Sequence, residues 1–450
     1  METAPLAERF TAAGWRLYLV GGSLRDAILG HPFAPDLDFT TDARPDDIES
    51  VVKDWADAVW DQGRRFGTIG IKKDGRTYEI TTHRADAYSP DSRKPEVQFS
   101  HAIEADLSRR DFTVNAMALS LPDAELIDPF GGIEDLAAYR LRTPLSPRES
   151  FTDDPLRMLR AARFISGYHF LPDDDLVAAV KSLRGRLEIV SPERIRAELD
   201  KLLVVESPEA GLWFLVNTGL AEEFLPELPA LALQQDPVHR HKDVLAHTIA
   251  VVEKTSPDKV LRLAALLHDI GKPKTRSFGK GGVSFHHHEV VGARMAEERM
   301  RALRYPEDEI ADVRKLVELH LRFHGYGDDV WTDSAVRRYA TDAGPLLDKL
   351  NELTRCDCTT RNQRKAAELA RRMDLLEQRI AALKEQEELD RIRPDLDGNQ
   401  IMEHLGIGPG RDVGRAWKFL YELRMEEGPL GEDEARRRLD EWWASRQGRS

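Results

Sequence analysis

Cysteine is nearly absent from this chain: there are two in 450 residues, Cys356 and Cys358, with one residue between them. Cysteines so close cannot staple distant segments, so a disulfide-built secreted scaffold is excluded and a reducing compartment, the cytoplasm, is expected. Long apolar runs are missing as well. No stretch approaches the roughly 20 residues that cross a bilayer. The opening METAPLAERFTAAG lacks a basic stretch followed by an apolar core, so no secretion signal is expected. An excess of positive charge is also lacking: 65 Lys/Arg against 79 Asp/Glu give a net charge of −14, which weighs against indiscriminate nucleic-acid binding. The deficit is uneven, because residues 146–203 hold ten Lys/Arg against ten Asp/Glu, with several arginines clustered. Charge alone neither suggests nor excludes a nucleic-acid partner. Internal repeats and low-complexity tracts are not seen.

At 450 residues the chain exceeds one hydrophobic core, and two to four domains are expected. The first 145 or so read as an α/β head. LYLV (17–20) is a short buried strand, 23–30 a helix and DLDFTT (36–41) a strand; a helix follows over about 45–58. FGTIGIKK and TYEITTHR are extended pieces joined at Asp74-Gly75, and the polar, proline-bearing 86–100 reads as a mobile loop. From 151 onward strand signals nearly vanish. Asp154-Pro155 opens a helix; Leu171-Pro172, Ser191-Pro192 and Ser207-Pro208 mark breaks. A histidine-rich region runs from His239 to His324, a charged helix covers 366–392, and GIGPG (406–410) follows.

Two features of the head belong together. Residues i and i+2 of a strand share a face, so Asp36 and Asp38 aim both carboxylates at one spot. Such a pair repels unless a cation lies between, and oxygen-only ligands of this kind suit Mg2+ with phosphate oxygens. Gly21-Gly22 ahead of a helix lets backbone N–H groups approach a phosphate at the positive end of the helix dipole, and Arg25 one turn in adds a charged contact. A plain turn and a solvated aspartate pair is the alternative. The joint pattern points to a metal-bound triphosphate.

GGSLRD followed by DLDFTT resembles the opening signature of the class II tRNA nucleotidyltransferases, relatives of poly(A) polymerases that add CCA to tRNA 3′ ends. RRDFTVNAM (109–117), DPFGGIEDL (128–136), DDPLRMLRAARF (153–164) and SPERIRAEL (191–199) resemble further motifs of that family, in its order. The match is close over the first 205 residues and looser beyond. The resemblance implies an α+β, polymerase-beta-like nucleotidyltransferase head followed by an all-α neck, an HD domain and a tail, in an elongated multidomain chain. Its divisions would be 1–145, 146–232, 233–360 and 361–450. It also implies tRNA, CTP and ATP as partners, without a membrane or protein partner.

Base choice without a template has a chemical rationale. Cytosine and adenine both present an amino donor beside a ring-nitrogen acceptor, so an aspartate accepting from one and an arginine donating to the other takes both. Guanine and uracil present the reverse and leave buried polar groups unpaired. Asp153 and Asp154 lie four and three residues before Arg157, one face if all three sit on a helix; an N-cap with an ordinary helical ion pair is the alternative. The resemblance gives the reading role to Asp154 and Arg157, with Arg160 and Arg163 for nucleotide or phosphate contact. It usually has Glu where this chain has Asp153. Arg110 and Asp111 fit a phosphate and a ribose-hydroxyl contact. Glu79 is a third carboxylate, able to take the proton of the attacking 3′-hydroxyl or to support two metal ions. The polar segment 86–100 stands where the family has a flexible loop; its presence favours full CCA addition, although enzymes adding only the final A also carry it.

LAALLHDIGKP (263–273) carries His268-Asp269; His247 precedes it, and His288, His320 and Asp357 follow. This order resembles the HD phosphohydrolase superfamily. It implies His247, His268, Asp269 and Asp357 as ligands of one ion, with His288 and His320 for a second, of Mn, Fe, Ni or Zn. The implied substrates are 2′,3′-cyclic or simple phosphate esters; a structural role is the alternative. GIGPG before RDVGRAWKFL is a candidate grip on a phosphate backbone, and Trp442-Trp443 reads as core packing. Two rival functions remain at this point: a poly(A) polymerase or partial CCA enzyme of the same superfamily, and an HD phosphohydrolase whose head only binds RNA.

Overall fold

The computed structural model describes residues 3–31, 36–89, 92–233, 243–279, 282–323, 331–358, 363–387 and 393–447. The chain forms two compact units, residues 1–229 with 302–305, and residues 230–301 with 306–450.

In the first unit a seven-stranded sheet is built from β1 (Leu17–Val20), β2 (Asp36–Thr41), β3 (Ala58–Trp60), β4 (Thr68–Lys73), β5 (Arg76–Thr82), β8 (Ala118–Leu121) and β9 (Leu126–Ile127). Their order is β3-β4-β5-β2-β1-β8-β9, and β2–β5 is the parallel pair among antiparallel ones. Alternation sets the faces. Leu37 and Phe39 of β2 and Tyr78 and Ile80 of β5 are buried, and Phe39 stacks on Tyr78 at 5.9 Å. Asp36, Asp38 and Glu79 fall on the exposed side.

Three sequence expectations change here. The helix expected to about residue 58 stops at Val52, and β3 follows at the sheet edge, where alternating Ala58 and Trp60 give too short a run to read. β8 was not anticipated just beyond the motif 109–117. Most notably, 86–100 is not a loop: β6 (Arg84–Ser89) and β7 (Ser92–Phe99) pair antiparallel as a hairpin. Pro95 is tolerated because this two-stranded ribbon is all edge and its register shifts between Ala87 and Ser89. Residues 90–91 lie outside the described ones.

Helix Pro147–Asp153 starts at a capping box: Ser146 Oγ accepts from Glu149 N–H, and the Glu149 carboxylate accepts from Ser146 N–H. Helix Leu156–Tyr168 follows. Between them Asp154 is extended (φ −136°, ψ 99°), because a residue before proline avoids the α region. Asp153 and Asp154 therefore precede the helix that carries Arg157 and do not share a helical face with it. Helix Glu209–Asn217 packs tightly on Leu156–Tyr168 through Gly211, where a Cβ would meet Ala162 O at 2.4 Å; Gly211 N–H donates to Ser166 Oγ. Phe112 of the head meets Phe164 at 5.1 Å and joins sheet to neck.

In the second unit, helices Val244–Lys254, Lys259–Leu267, His288–Ala302, Glu307–Leu319, Asp333–Ala343 and Leu347–Asp357 surround the histidines. A hairpin of Arg276–Gly279 and Gly282–Phe285 interrupts them, where only helix was expected. The charged helix spans Gln363–Glu387; its expected end, 388–392, lies outside the described residues, as do His239, His241 and His324. The last three helices enclose a core of Leu396, Ile401, Ala416, Leu420, Leu423, Ala435 and Leu439. Trp442 packs against it and stacks on Phe419 at 5.0 Å, as core rather than as a free ring. Among the described residues no helix is long and apolar enough to cross a membrane.

Beneath the head sheet, His83 is fully buried. One ring nitrogen meets Thr40 Oγ1 at 2.8 Å, the other has no partner, and burial pushes its pKa down to about 4 despite nearby Asp106. A folded-state pKa below the ordinary 6.5 means that stability is intact above pH 6.5 and is lost as pH falls toward 4. Between pH 7.5 and 5 this single group costs about 2 kcal/mol. Denaturant midpoints at the two pH values should therefore fall further for the wild type than for His83→Asn; equal falls would remove His83 from the account.

Candidate active site and metal centre

Three carboxylates meet on the exposed face of the head sheet. Asp36 and Asp38 are two apart on β2, and Glu79 of β5 is the register partner of Asp38. Burial raises the Asp38 carboxyl above its usual range; Arg110 opposes this and Asp36 adds to it. Burial likewise raises Glu79, with Asp38 and then Asp36 contributing. Two carboxyls pushed up in this way beside a third acid are short of positive charge, which a divalent cation would supply.

Helix Gly21–Ile28 begins beside it. Its N-terminus has no side-chain cap, so its first N–H groups remain for an anion. Gly21 has φ +70°, and a Cβ there would lie 3.2 Å from Arg110 Nη1 and 3.4 Å from Asp38 Oδ2. Only glycine lets the turn, the arginine and the aspartate come together. Gly22 is the next residue of that turn. Arg110 also donates to Asp106, whose fully buried carboxylate is held near pKa 2 by Arg109 and Arg110 against its burial.

The other arginines are distributed differently from expectation. Arg25 is buried: its guanidinium donates to Asp26, Asn115 Oδ1 and the Tyr168 hydroxyl, and lies 4.2 Å over the Tyr168 ring. It ties the head to the neck helix, and a phosphate contact would exchange one of these bonds. Asp111 accepts from Arg160 Nε and Nη2, Asn115 Nδ2 and Phe112 N–H. These take the four acceptor positions of a carboxylate, and its pKa is driven far down by Arg160 and Asn115 against burial. A ribose contact there likewise means exchange.

Arg160 also reaches Glu198 at 3.5 Å and Arg163 reaches it at 3.0 Å. Glu198 is 4% exposed and Arg194 lies one turn before it; Arg194 Nη2 is 3.1 Å from Asp154 Oδ2. Neither Arg194 nor Glu198 had been singled out within SPERIRAEL. Their i,i+4 spacing was the signal that one helix face turns two charges toward the same site.

The second unit holds a denser cluster. His247 Nε2 lies 2.9 Å from Asp357 Oδ1 and 3.6 Å from Asp269 Oδ2. His268 Nε2 lies 3.2 Å from Asp269 Oδ2, and His288 Nε2 lies 3.3 Å from Asp269 Oδ1. The His268 and His288 rings each stand 5.3 Å from that of His320. In His268, His288 and His320 the Nδ1 lies 2.6–2.7 Å from the carbonyl three residues back. A carbonyl only accepts, so Nδ1 is the donor in each and the ring turns its Nε2 inward.

Those three Nε2 atoms and Asp269 Oδ1 are buried without a hydrogen-bond partner. Orphaned buried groups of this kind are costly unless something fills the gap. The donors sort into two groups, His247–His268–Asp357 and Asp269–His288–His320, each with ligand atoms within 4.8 Å of one another. Imidazole and carboxylate donors so arranged fit transition-metal ions. Lys272, missed in the sequence although it stands in HDIGK, reaches Asp269 Oδ2 at 2.6 Å. Cys356 and Cys358 flank Asp357 as free thiols.

Family models match three segments: a Poly A polymerase head domain over 17–142, a "Probable RNA and SrmB- binding site of polymerase A" over 169–231, and an HD domain over 244–384. A CCA-adding enzyme of Limosilactobacillus reuteri is 40% identical over 217 residues, 48% of this chain and 52% of that one. The chain thus matches about half the length of such curated relatives. Among solved structures, the Bacillus stearothermophilus CCA-adding enzyme in complex with CTP aligns with a TM-score of 0.70 at 22% identity, covering 100% of this chain and 98% of that one. The Thermotoga maritima CCA-adding enzyme complexed with tRNA_CCA aligns at 0.57 and 21%, covering 97% and 94%. At these identities the likeness is one of fold. The chain has a nucleotidyltransferase head with a mixed sheet, a helical neck and an HD domain, in the fold of CCA-adding enzymes.

Proposed function

We propose, from a poly(A) polymerase-type head joined in one chain to an HD domain, that this protein adds C, C and A to tRNA 3′ ends from CTP and ATP, releasing pyrophosphate. The observation that carries the reading is Asp36, Asp38 and Glu79 on one face, beside the uncapped helix start at Gly21-Gly22. The name and matched span of the Limosilactobacillus reuteri relative support the substrate choice. The working division of the chain is head 1–145, neck 146–232, HD domain 233–360 and tail 361–450, in the cytoplasm.

Asp36 and Asp38 would hold Mg2+, with Glu79 in support. The chemistry such ions would supply there is activation of the 3′-hydroxyl and neutralisation of charge on the triphosphate. The protein's own part is positioning. N–H groups of Gly21 and Gly22 and the Arg110 guanidinium bind phosphate oxygens. Asp154 accepts from the amino group of C or A while Arg157 donates to the ring nitrogen, and Arg160 and Arg163 line the neck side. Glu79, with its raised pKa, receives the hydroxyl proton at its carboxylate. Attack by the 3′-oxygen on the α-phosphorus forms one P–O bond as that to pyrophosphate breaks.

The test incubates the protein with tRNA lacking its last three nucleotides and CTP alone, ATP alone, or both. Addition of two cytidines with CTP and of a single A once ATP is present is the expected result. Long A-tails would move the assignment to a poly(A) polymerase, and no addition at all would leave only the HD activity. The six-donor cluster favours a second activity, hydrolysis of 2′,3′-cyclic or simple phosphate esters with Mn, Ni, Fe or Zn at His247, His268, Asp269, His288, His320 and Asp357.

A further inference from the structure

Among the described residues no bond joins the Asp154 carboxylate to the Arg157 guanidinium; each is held from behind, and one residue touches both. Arg157 Nη1 donates to Ser150 Oγ at 2.8 Å and to Ser150 O at 3.4 Å, while Nη2 donates to Arg109 O. Asp154 N–H donates to the same Ser150 carbonyl at 3.2 Å. The Asp154 carboxylate is fixed at both ends: Oδ1 accepts from Leu156 N–H at 3.2 Å and Oδ2 from Arg194 at 3.1 Å. Ser150 is 3% exposed and Arg157 8% exposed, so the contact between these two is shielded from water. Ser150 is itself fixed on the short helix set by the Ser146–Glu149 capping box.

This matters for base choice. A guanidinium has five N–H donors and no acceptor. Free to pivot, it finds a carbonyl oxygen on uracil or guanine as readily as a ring nitrogen on cytosine or adenine, and discrimination is lost. With Nη1 committed to Ser150 and one Nη2 proton to Arg109, Nε–H and the other Nη2 proton remain, in a fixed register. Arg194 does the same for the carboxylate. Resting on the reading of Asp154 and Arg157 given above, we propose that Ser150 and Arg194 are positioning residues that set nucleotide selectivity, Ser150 as the shared anchor of both reading groups.

The experiment measures single-nucleotide addition to trimmed tRNA with CTP and with UTP, for the wild type and Ser150→Ala, Ser150→Thr, Arg194→Gln and Arg157→Ala, alongside melting temperatures. Loss of one hydrogen bond to a charged group corresponds to about tenfold. Ser150→Ala should therefore lower the CTP/UTP ratio of kcat/KM about tenfold, mainly through a KM for CTP raised about fivefold, with kcat moving less than twofold. Ser150→Thr keeps the hydroxyl and should recover most of the ratio. Arg194→Gln should relax the ratio in the same direction. A Ser150→Ala protein with a wild-type ratio overturns the anchor role. Should that variant melt early, a wild-type ratio in Arg194→Gln overturns the proposal instead. An Arg157→Ala protein that still refuses UTP overturns the underlying reading; one that accepts UTP beside a selective Ser150→Ala overturns only this inference.

Discussion

Asp38→Asn should lower nucleotide addition about 10^4-fold, some 5 kcal/mol of barrier, while leaving the melting temperature equal or higher. The two effects have one cause. Asp38 sits two residues from Asp36 and in register with Glu79, and its pKa is raised by burial and by Asp36. A carboxylate whose folded pKa lies above its unfolded value destabilises the fold at neutral pH, and that penalty fades as pH falls through the folded pKa. Neutralising the side chain removes it. The same substitution takes away a cation ligand, so addition of Mg2+ should raise the melting temperature of the wild type and not that of Asp38→Asn. Asp36→Asn should lose nucleotide addition and the Mg2+ effect alike. A variant that extends trimmed tRNA at the wild-type rate would overturn the nucleotidyltransferase reading altogether.

How much of this was legible beforehand depended on range. Asp36 and Asp38 were readable because strand alternation is local, and the Gly21-Gly22 turn because positive φ has a residue signature. Glu79 reads as a third carboxylate on a neighbouring strand; its register beside Asp38 follows from the β4–β5 hairpin carrying β5 back onto β2 in parallel. The neck network was legible only in part. Arg160 was picked out, but its partners Asp111 and Glu198 lie 49 and 38 residues away, and no periodicity connects them. Ser150 gave no signal, since a serine four residues before an aspartate is ordinary until its hydroxyl is seen on Arg157. Two prolines made 86–100 look like a loop, because sequence does not show whether a ribbon has a neighbour whose hydrogen bonds a proline would cost. That the six metal-type donors would come together, spread as they are over 110 residues, rested on the resemblance to the HD superfamily, since no periodicity links them.

Asp269→Asn should empty the second centre. Asp269 touches more of the cluster than any other member: Oδ1 faces His288 at 3.3 Å, and Oδ2 faces His268 at 3.2 Å, His247 at 3.6 Å and Lys272 at 2.6 Å. It is buried, and its pKa is held far down by His268, His288 and Lys272 against burial. An amide keeps the shape but loses the charge that draws a cation and presents a nitrogen that cannot bind one. Bound metal should fall from one or two equivalents to below about 0.2, and hydrolysis of a 2′,3′-cyclic nucleotide by about 10^3-fold or more. Stability supplies an independent reading. A site occupied at a hundredfold excess over its Kd contributes about 2.7 kcal/mol to the folded state, so a chelator should lower the melting temperature of the wild type and leave that of Asp269→Asn where it is. His320 sharpens the sign: burial, with His268 nearby, holds its pKa at about 4. Its Nε2 therefore stays unprotonated and available to a metal down to mildly acid pH. Wild-type metal content in Asp269→Asn would remove Asp269 from the ligand set, and a wild type that binds no metal would show that these histidines serve the fold alone.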